Sequence, residues 1–249
     1  MHSRIEVLGA YANAFRELIN TKLRSRRNKN IRELLRLNKD ADWNFICASM
    51  DIVSDACAAL KNFLQYGLDG PTKFDDIGEK YLRLYGMLNA TFIQQGAVLK
   101  LYKLAGVQNP KDARARIKML RIREIRHKLG AHSTDYLNST NGRIESYVPV
   151  QVSLLGFNCE YFNNETLKSE RVDFHECLNE HFEALIALID MVYEKTVNTL
   201  FKEEKKKFEE FKEKLKGLRI VRDGGLVINS PKGMRLVIRT MVTRNLTSR

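Results

Sequence analysis

The sequence predicts a mainly α protein: an antiparallel helical bundle with a small β-hairpin insert and a short β-prone C-terminal tail. Three observations predict it. Apolar residues recur at steps of three and four through most of the first half and again after Asp173. Between those regions the period changes to two, with Val148, Val150 and Val152 alternating. Apolar content of 44% and charged content of 29%, with four prolines and fourteen glycines, indicate a globular chain rather than a linker-rich one.

In order, Ile5 to Arg24 reads as one helix. Asp40 or Asp42 can cap the next, which carries Trp43, Ile46, Met50, Val53, Cys57, Leu60 and Leu64. Gly67-Leu-Asp-Gly-Pro71 ends it. Asp75 or Asp76 opens a third helix through Tyr81, Leu84, Leu88, Phe92 and Leu99, ending near Gly106. Asn109-Pro110 begins a fourth, since proline suits a first helical turn, and the pattern carries it to Ser133. Helices of these lengths fit an antiparallel bundle.

Asn138 to Gly142 is a loop, and Ser146 to Tyr161 is β-prone. Phe162-Asn-Asn-Glu165 closes a hairpin whose return strand lies near Leu167 to Val172. Asp173 then caps a long helix through Cys177, Leu178, Leu185, Leu188 and Val192, which the pattern extends to Lys216. Phe201, Phe208 and Leu215 recur every seven residues on its charged far half. That stripe fits a coiled-coil seam or a strut packed on its own chain; so few heptads favour the strut. The tail has strand signals around Asp223-Gly224-Gly225 and Ser230-Pro231-Lys-Gly233. The division expected is a bundle over 1–216, with its β insert at about 137–172, and a small appendage over 217–249.

The net charge of +12 favours an anionic partner. Lys22 to Lys39 holds eight Lys or Arg and one acid, Glu33. Lys22, Arg24, Arg26, Arg27, Lys29 and Arg32 are its candidate RNA contacts; the competing reading is a solvated edge. The segment lacks interleaved aromatics, so it would grip backbone rather than read bases. The N-terminus lacks the apolar run of a signal peptide, and the longest apolar stretch is too short for a bilayer. The four cysteines form no CxxC pair, which fits buried free thiols and a cytoplasmic setting.

The most informative segment is Arg121-Ile-Arg-Glu-Ile-Arg126-His127-Lys-Leu-Gly-Ala-His132-Ser133. Histidine moves protons near neutral pH, and arginine is a permanent phosphate clamp. On an α-helix Arg126 and His132 would flank Leu129, separated by about 120°. His127 would point elsewhere, about 140° from Ile122. Gly130 weakens the last turn and lets His132 leave helical geometry.

An arginine followed after four to six residues by a histidine, near the end of a bundle helix, resembles the signature of the HEPN (higher eukaryotes and prokaryotes nucleotide-binding) superfamily. Here five residues separate Arg126 from His132, and His127 occupies the position after the arginine, where that family often has a polar residue. The resemblance covers roughly 1–135 and the long helix from Asp173. The β insert and the tail are not core features of the family. What it implies is a metal-independent endoribonuclease from a toxin–antitoxin or antiviral-defence system, needing no cofactor and acting as a homodimer with a composite active site. His132 would be the acid and base, Arg126 would stabilise the phosphate, and His127 would add an RNA contact. An antitoxin or nucleotidyltransferase-type protein is the partner such systems imply. Some members are non-catalytic modules that bind RNA or protein. A helical scaffold assembling through Phe201–Leu215 is a reading from another class. On the bland reading, His132 caps free carbonyls and Arg126 pairs with a surface carboxylate.

Other candidates are weaker. His175 and His181 are six apart, without the spacing of a helical metal pair, so a structural role is expected. Asp223-Gly-Gly225 is a hairpin signal, not a phosphate loop.

Overall fold

The computed structural model describes residues 3–25, 30–72, 74–229 and 235–238. It is mainly α. Four long helices, α1 (Arg4–Arg24), α3 (Ala41–Tyr66), α4 (Ile77–Leu104) and α7 (Phe174–Leu200), build the bundle, with the short α2 (Ile31–Leu35) beside α1. α1 starts where the Ser3 N–H donates to the Glu6 carboxylate (3.1 Å) and buries Ile5, Leu8, Tyr11, Phe15, Leu18 and Ile19 at helical spacing. α4 is capped by Asp76, which accepts from the Gly78 N–H, and α7 by Asp173, which accepts from the His175 N–H. α3 lacks the expected cap: the Asp40 side chain makes no cap bond, and Asp42 accepts from the Lys39 N–H.

Two expected helices are each split. The stretch Asn109–Ser133 is α5 (Pro110–Lys118), α6 (Arg121–Ile125) and a π-helical turn (Arg126–Ala131). The break lies at Leu120, whose backbone is extended. It lets Ile117 and Ile122 both be fully buried, although residues five apart on a straight α-helix lie about 140° apart. The long C-terminal helix likewise stops at Leu200 and restarts as α8 (Lys205–Arg222). Phe201 turns inward at the corner against Phe211, with ring centroids 4.8 Å apart. The Lys22 ammonium donates to the free Leu200 carbonyl (2.5 Å). Phe201, Phe211 and Leu215 are buried against the same chain, and α8 packs on α1 and α7. α8 runs on past Lys216, and its Arg219 bonds both oxygens of the buried Asp190, to which Tyr11 also donates (2.7 Å).

The insert holds a pair of two-residue strands, β1 (Tyr136–Leu137) and β2 (Ile144–Glu145). A three-stranded antiparallel sheet follows, from β3 (Tyr147–Pro149), β4 (Asn158–Asn163) and β5 (Lys168–Asp173) in that order. The alternating valines do not make one strand. Pro149 ends β3, a 3-10 turn spans Gln151–Ser153, and Val148 and Val152 are exposed. Tyr147, Cys159 and Tyr161 supply the buried face. Gly67 ties the insert to the bundle: its φ is +61°, and a Cβ there would lie 2.5 Å from the Gly156 oxygen. β6 (Leu226–Asn229) and β7 (Arg235–Ile238) pair antiparallel. Among the described residues no helix is long and apolar enough to cross a membrane.

Candidate active site at the π-helical turn

The π-helical turn packs on α4 and carries the motif. Its wide register is fixed by the His132 N–H, which donates to the His127 carbonyl five residues back (2.8 Å). Leu129 anchors the turn in the core. Lys128 anchors it to the insert: its buried ammonium bonds Glu124 (2.8 Å) and Glu170 (3.4 Å). It also lies 4.8 Å from the Tyr147 ring centroid and 5.4 Å from that of Tyr161. Burial alone would pull Lys128 down, but the Glu124 hydrogen bond and the surrounding acidic groups hold it above the ordinary lysine value. The Tyr147 N–H donates to the Ser133 carbonyl (2.7 Å), closing the turn onto β3.

The motif residues form a row. The Arg126 guanidinium carbon sits 3.9 Å from the Phe92 ring centroid, and that of Arg123 4.8 Å from the same ring. His127 follows, its ring 6.3 Å from Phe92 and 5.9 Å from His132. His132 ends the row, half exposed, with Nδ1 3.3 Å from an Asp135 oxygen. The α-helical expectation for His127 is therefore corrected. The two histidines are neighbours because the π register brings residues five apart onto one side of the turn. No hydrogen bond joins Arg126 to His132 among the described residues.

The two arginines of the cluster stand apart from its acids. Among the described residues neither Arg123 nor Arg126 forms an ion pair with a carboxylate. Burial first, then Arg123, Arg126 and His132, push the His127 imidazole below its usual range. Its Nε2 is buried and unpartnered among the described residues.

Beside the row lies a cleft of about 580 Å³, lined by Lys118, Arg123, Glu124, His127 and Lys128 and, from the insert side of the chain, by Asn138, Ser139 and Thr140; Arg126 and His132 are not among its lining residues. The Asn138–Asn141 loop beside it is held by buried Glu145, which accepts from Asn138 and Asn141 (3.0 Å each) and from the Tyr147 hydroxyl (2.5 Å). These bonds, Tyr147 foremost, hold its carboxyl down at about 2.

The basic segment lies elsewhere. Gly130 sits over Leu88, whereas Leu35 of α2 shares a small cavity with Leu104, about 24 Å further along α4. Lys22 is not a surface cation. It is buried on the Leu200 carbonyl, Glu204 (2.5 Å) and the Phe201 ring, so it is corrected from RNA contact to corner brace. Arg24 and Arg32 are exposed. Arg26, Arg27 and Lys29 lie outside the described residues, as does the Ser230–Gly233 turn signal.

Phe92, Arg123 and Asp135 stand in the candidate site and were not singled out from the sequence. Asp135 follows His132 at a spacing of three, a signal that was there to be used. His181 is fully buried and bonded to Gln94 and Gln95, while His175 is exposed, its ring tilted against that of Phe157 at 3.8 Å between centroids. Among the described residues no three His, Cys, Asp or Glu side chains are placed to hold a metal.

The chain matches no protein-family model, and no curated protein or solved structure matches it significantly.

Proposed function

We propose that this protein is a metal-independent endoribonuclease of the HEPN type, a toxin or antiviral-defence effector that acts in the cytoplasm as a homodimer. One observation carries the reading. Two arginines without carboxylate partners and an Asp-paired, half-exposed histidine belong to one continuous cluster beside a polar cleft. Such a cluster suits a phosphodiester, since arginine offers its oxygens fixed paired donors.

In the reaction, the 2′-hydroxyl of RNA attacks the adjacent phosphorus and gives its proton to a histidine. The P–O5′ bond breaks, and the leaving oxygen takes a proton from a histidine. The products are a cyclic phosphate and a 5′-hydroxyl. Arg126 neutralises charge on the phosphoryl oxygens as it builds up. Asp135 orients His132 through Nδ1, leaving Nε2 for the proton transfer. Arg126 and His132 stand at opposite ends of the ring row, which fits a site completed by the same residues of a second copy. α4 carries exposed Leu82, Tyr85 and Ile93 on the stretch around Phe92, a surface on which that copy could sit.

The separation of Arg126 from His132 also favours a second reading, a non-catalytic RNA-binding module. The decisive experiment compares wild type, Arg126→Ala and His132→Ala on RNA and on DNA of the same sequence, with and without EDTA. The ribonuclease reading expects chelator-resistant cleavage of RNA alone. Each variant should stay folded and lose at least ~100-fold in rate. Full activity in His132→Ala, or dependence on a divalent ion, would refute it. Binding without cleavage by the wild type would establish the second reading.

A further inference from the structure

Gln94, Gln95 and His181 are wholly buried where α4 packs on α7. Burying three polar side chains is costly unless every group finds a partner, and apolar residues would fill the space without that cost. Here they form an unbroken chain of hydrogen bonds. Gln94 Nε2 donates to the Val53 carbonyl (3.1 Å), and Gln94 Oε1 lies 2.8 Å from His181 Nε2. His181 Nδ1 lies 3.2 Å from Gln95 Nε2, and Gln95 Oε1 accepts from an Arg123 η-nitrogen (2.9 Å). Donors and acceptors match along the whole chain in one state, a neutral His181 with its proton on Nε2. The chain begins on the backbone of α3 and ends at Arg123, the member that reaches the cleft.

Arg123 is thus held on two sides, by Gln95 at one nitrogen and by the face of Phe92. Its remaining N–H donors have no carboxylate among the described residues. Arg126 lies on the same ring and repels it. A cation fixed at this cost, beside a like charge and without a counter-ion, is preorganised for an anion. We infer that Arg123 binds a phosphate of the RNA chain in the cleft, and that Gln95, His181 and Gln94 are positioning residues that hold its guanidinium there. The inference rests on the ribonuclease reading for its substrate, but it concerns binding and does not require cleavage.

The test uses the full chain and a fluorescent single-stranded RNA made non-cleavable by 2′-O-methylation, with affinity measured over a range of salt. Arg123→Ala should weaken binding about 10- to 100-fold and flatten the salt dependence by about one phosphate contact, ~0.7 in the logarithmic slope. Arg123→Lys should restore the slope but not the affinity, because the fork is lost while the charge stays. Gln95→Leu should weaken binding several-fold with the slope unchanged. In the Arg123→Ala background the same change should do nothing further, a non-additivity that a merely structural role would not produce. Circular dichroism and thermal melting check that each variant is folded. Wild-type affinity and slope in Arg123→Ala would overturn the inference, as would full additivity of the double variant. A wild type that binds RNA but never cleaves it defeats the catalytic reading while these comparisons still decide the role of Arg123. A wild type that binds no RNA overturns both.

Discussion

Acidification should destabilise this fold through His181. Complete burial holds its imidazole down at about 3, against ~6.5 in water. As the pH falls through ~6.5, the unfolded chain takes up a proton that the folded chain refuses. The stability contributed by the neutral ring is therefore fully present above ~6.5 and is lost steadily below it. Between pH 7 and pH 5 the loss is about 2 kcal/mol, since each unit of separation is worth ~1.4 kcal/mol and the native ring stays unprotonated throughout. For a chain of this size that corresponds to a fall in Tm of about 4–8 °C. Carboxylates and other histidines titrate in the same range, so the comparison must be with His181→Gln. Glutamine supplies an amide donor and acceptor toward Gln94 and Gln95 but does not titrate. Urea unfolding of both proteins at pH 7, 6 and 5 should give curves that diverge by about 2 kcal/mol at the acid end. Parallel curves would mean that the ring takes its proton in the native state, and the donor–acceptor sequence drawn from Gln94 to Arg123 would fall with it.

Further outcomes follow from two buried lysines, one that anchors the site and one that braces a distant corner. Lys128→Met should cost about 1–3 kcal/mol in chemical denaturation, because Glu124 and Glu170 lose their cation but are themselves half exposed. It should also slow cleavage by loosening the turn that sets His127 beside His132, and unchanged stability and rate would refute the anchoring role. Lys22→Ala should destabilise by about 1–2 kcal/mol, since it uncovers the Leu200 carbonyl and Glu204, and should leave the salt dependence of RNA binding unchanged. Arg24→Glu with Arg32→Glu should do the reverse, and a flattened salt slope in Lys22→Ala would return that lysine to the surface.

What the sequence made legible was local. The caps of α4 and α7 were readable because Asp76 and Asp173 act within two residues of themselves. The antiparallel β4–β5 pair was readable because its turn lies between its strands. The break after Leu200 was not, because the lysine that satisfies the freed carbonyl stands 178 positions earlier. Gln94 and Gln95 carried no sequence signal of their role, because the histidine that joins them comes 86 positions after Gln95. The motif itself was legible, but its geometry was not. Composition carries no mark of the change from α to π register, and the angles worked for a uniform helix sent His127 away from His132.

The wide turn alters what a count of residues means. In an α-helix every added residue rotates all that follows by about 100°, so a motif written as two residue types at a fixed interval is a rigid template. A π turn takes up one extra residue locally and leaves the rest of the helix in phase. Removing Gly130 would place the histidine four positions after His127, where an ordinary α-helix also makes neighbours of them. The same pair of rings can thus be presented from two different intervals, with the backbone absorbing the difference. Tolerance in the interval is then a mechanical property of this turn, and a search that insists on one number would divide chains whose side chains meet in the same way.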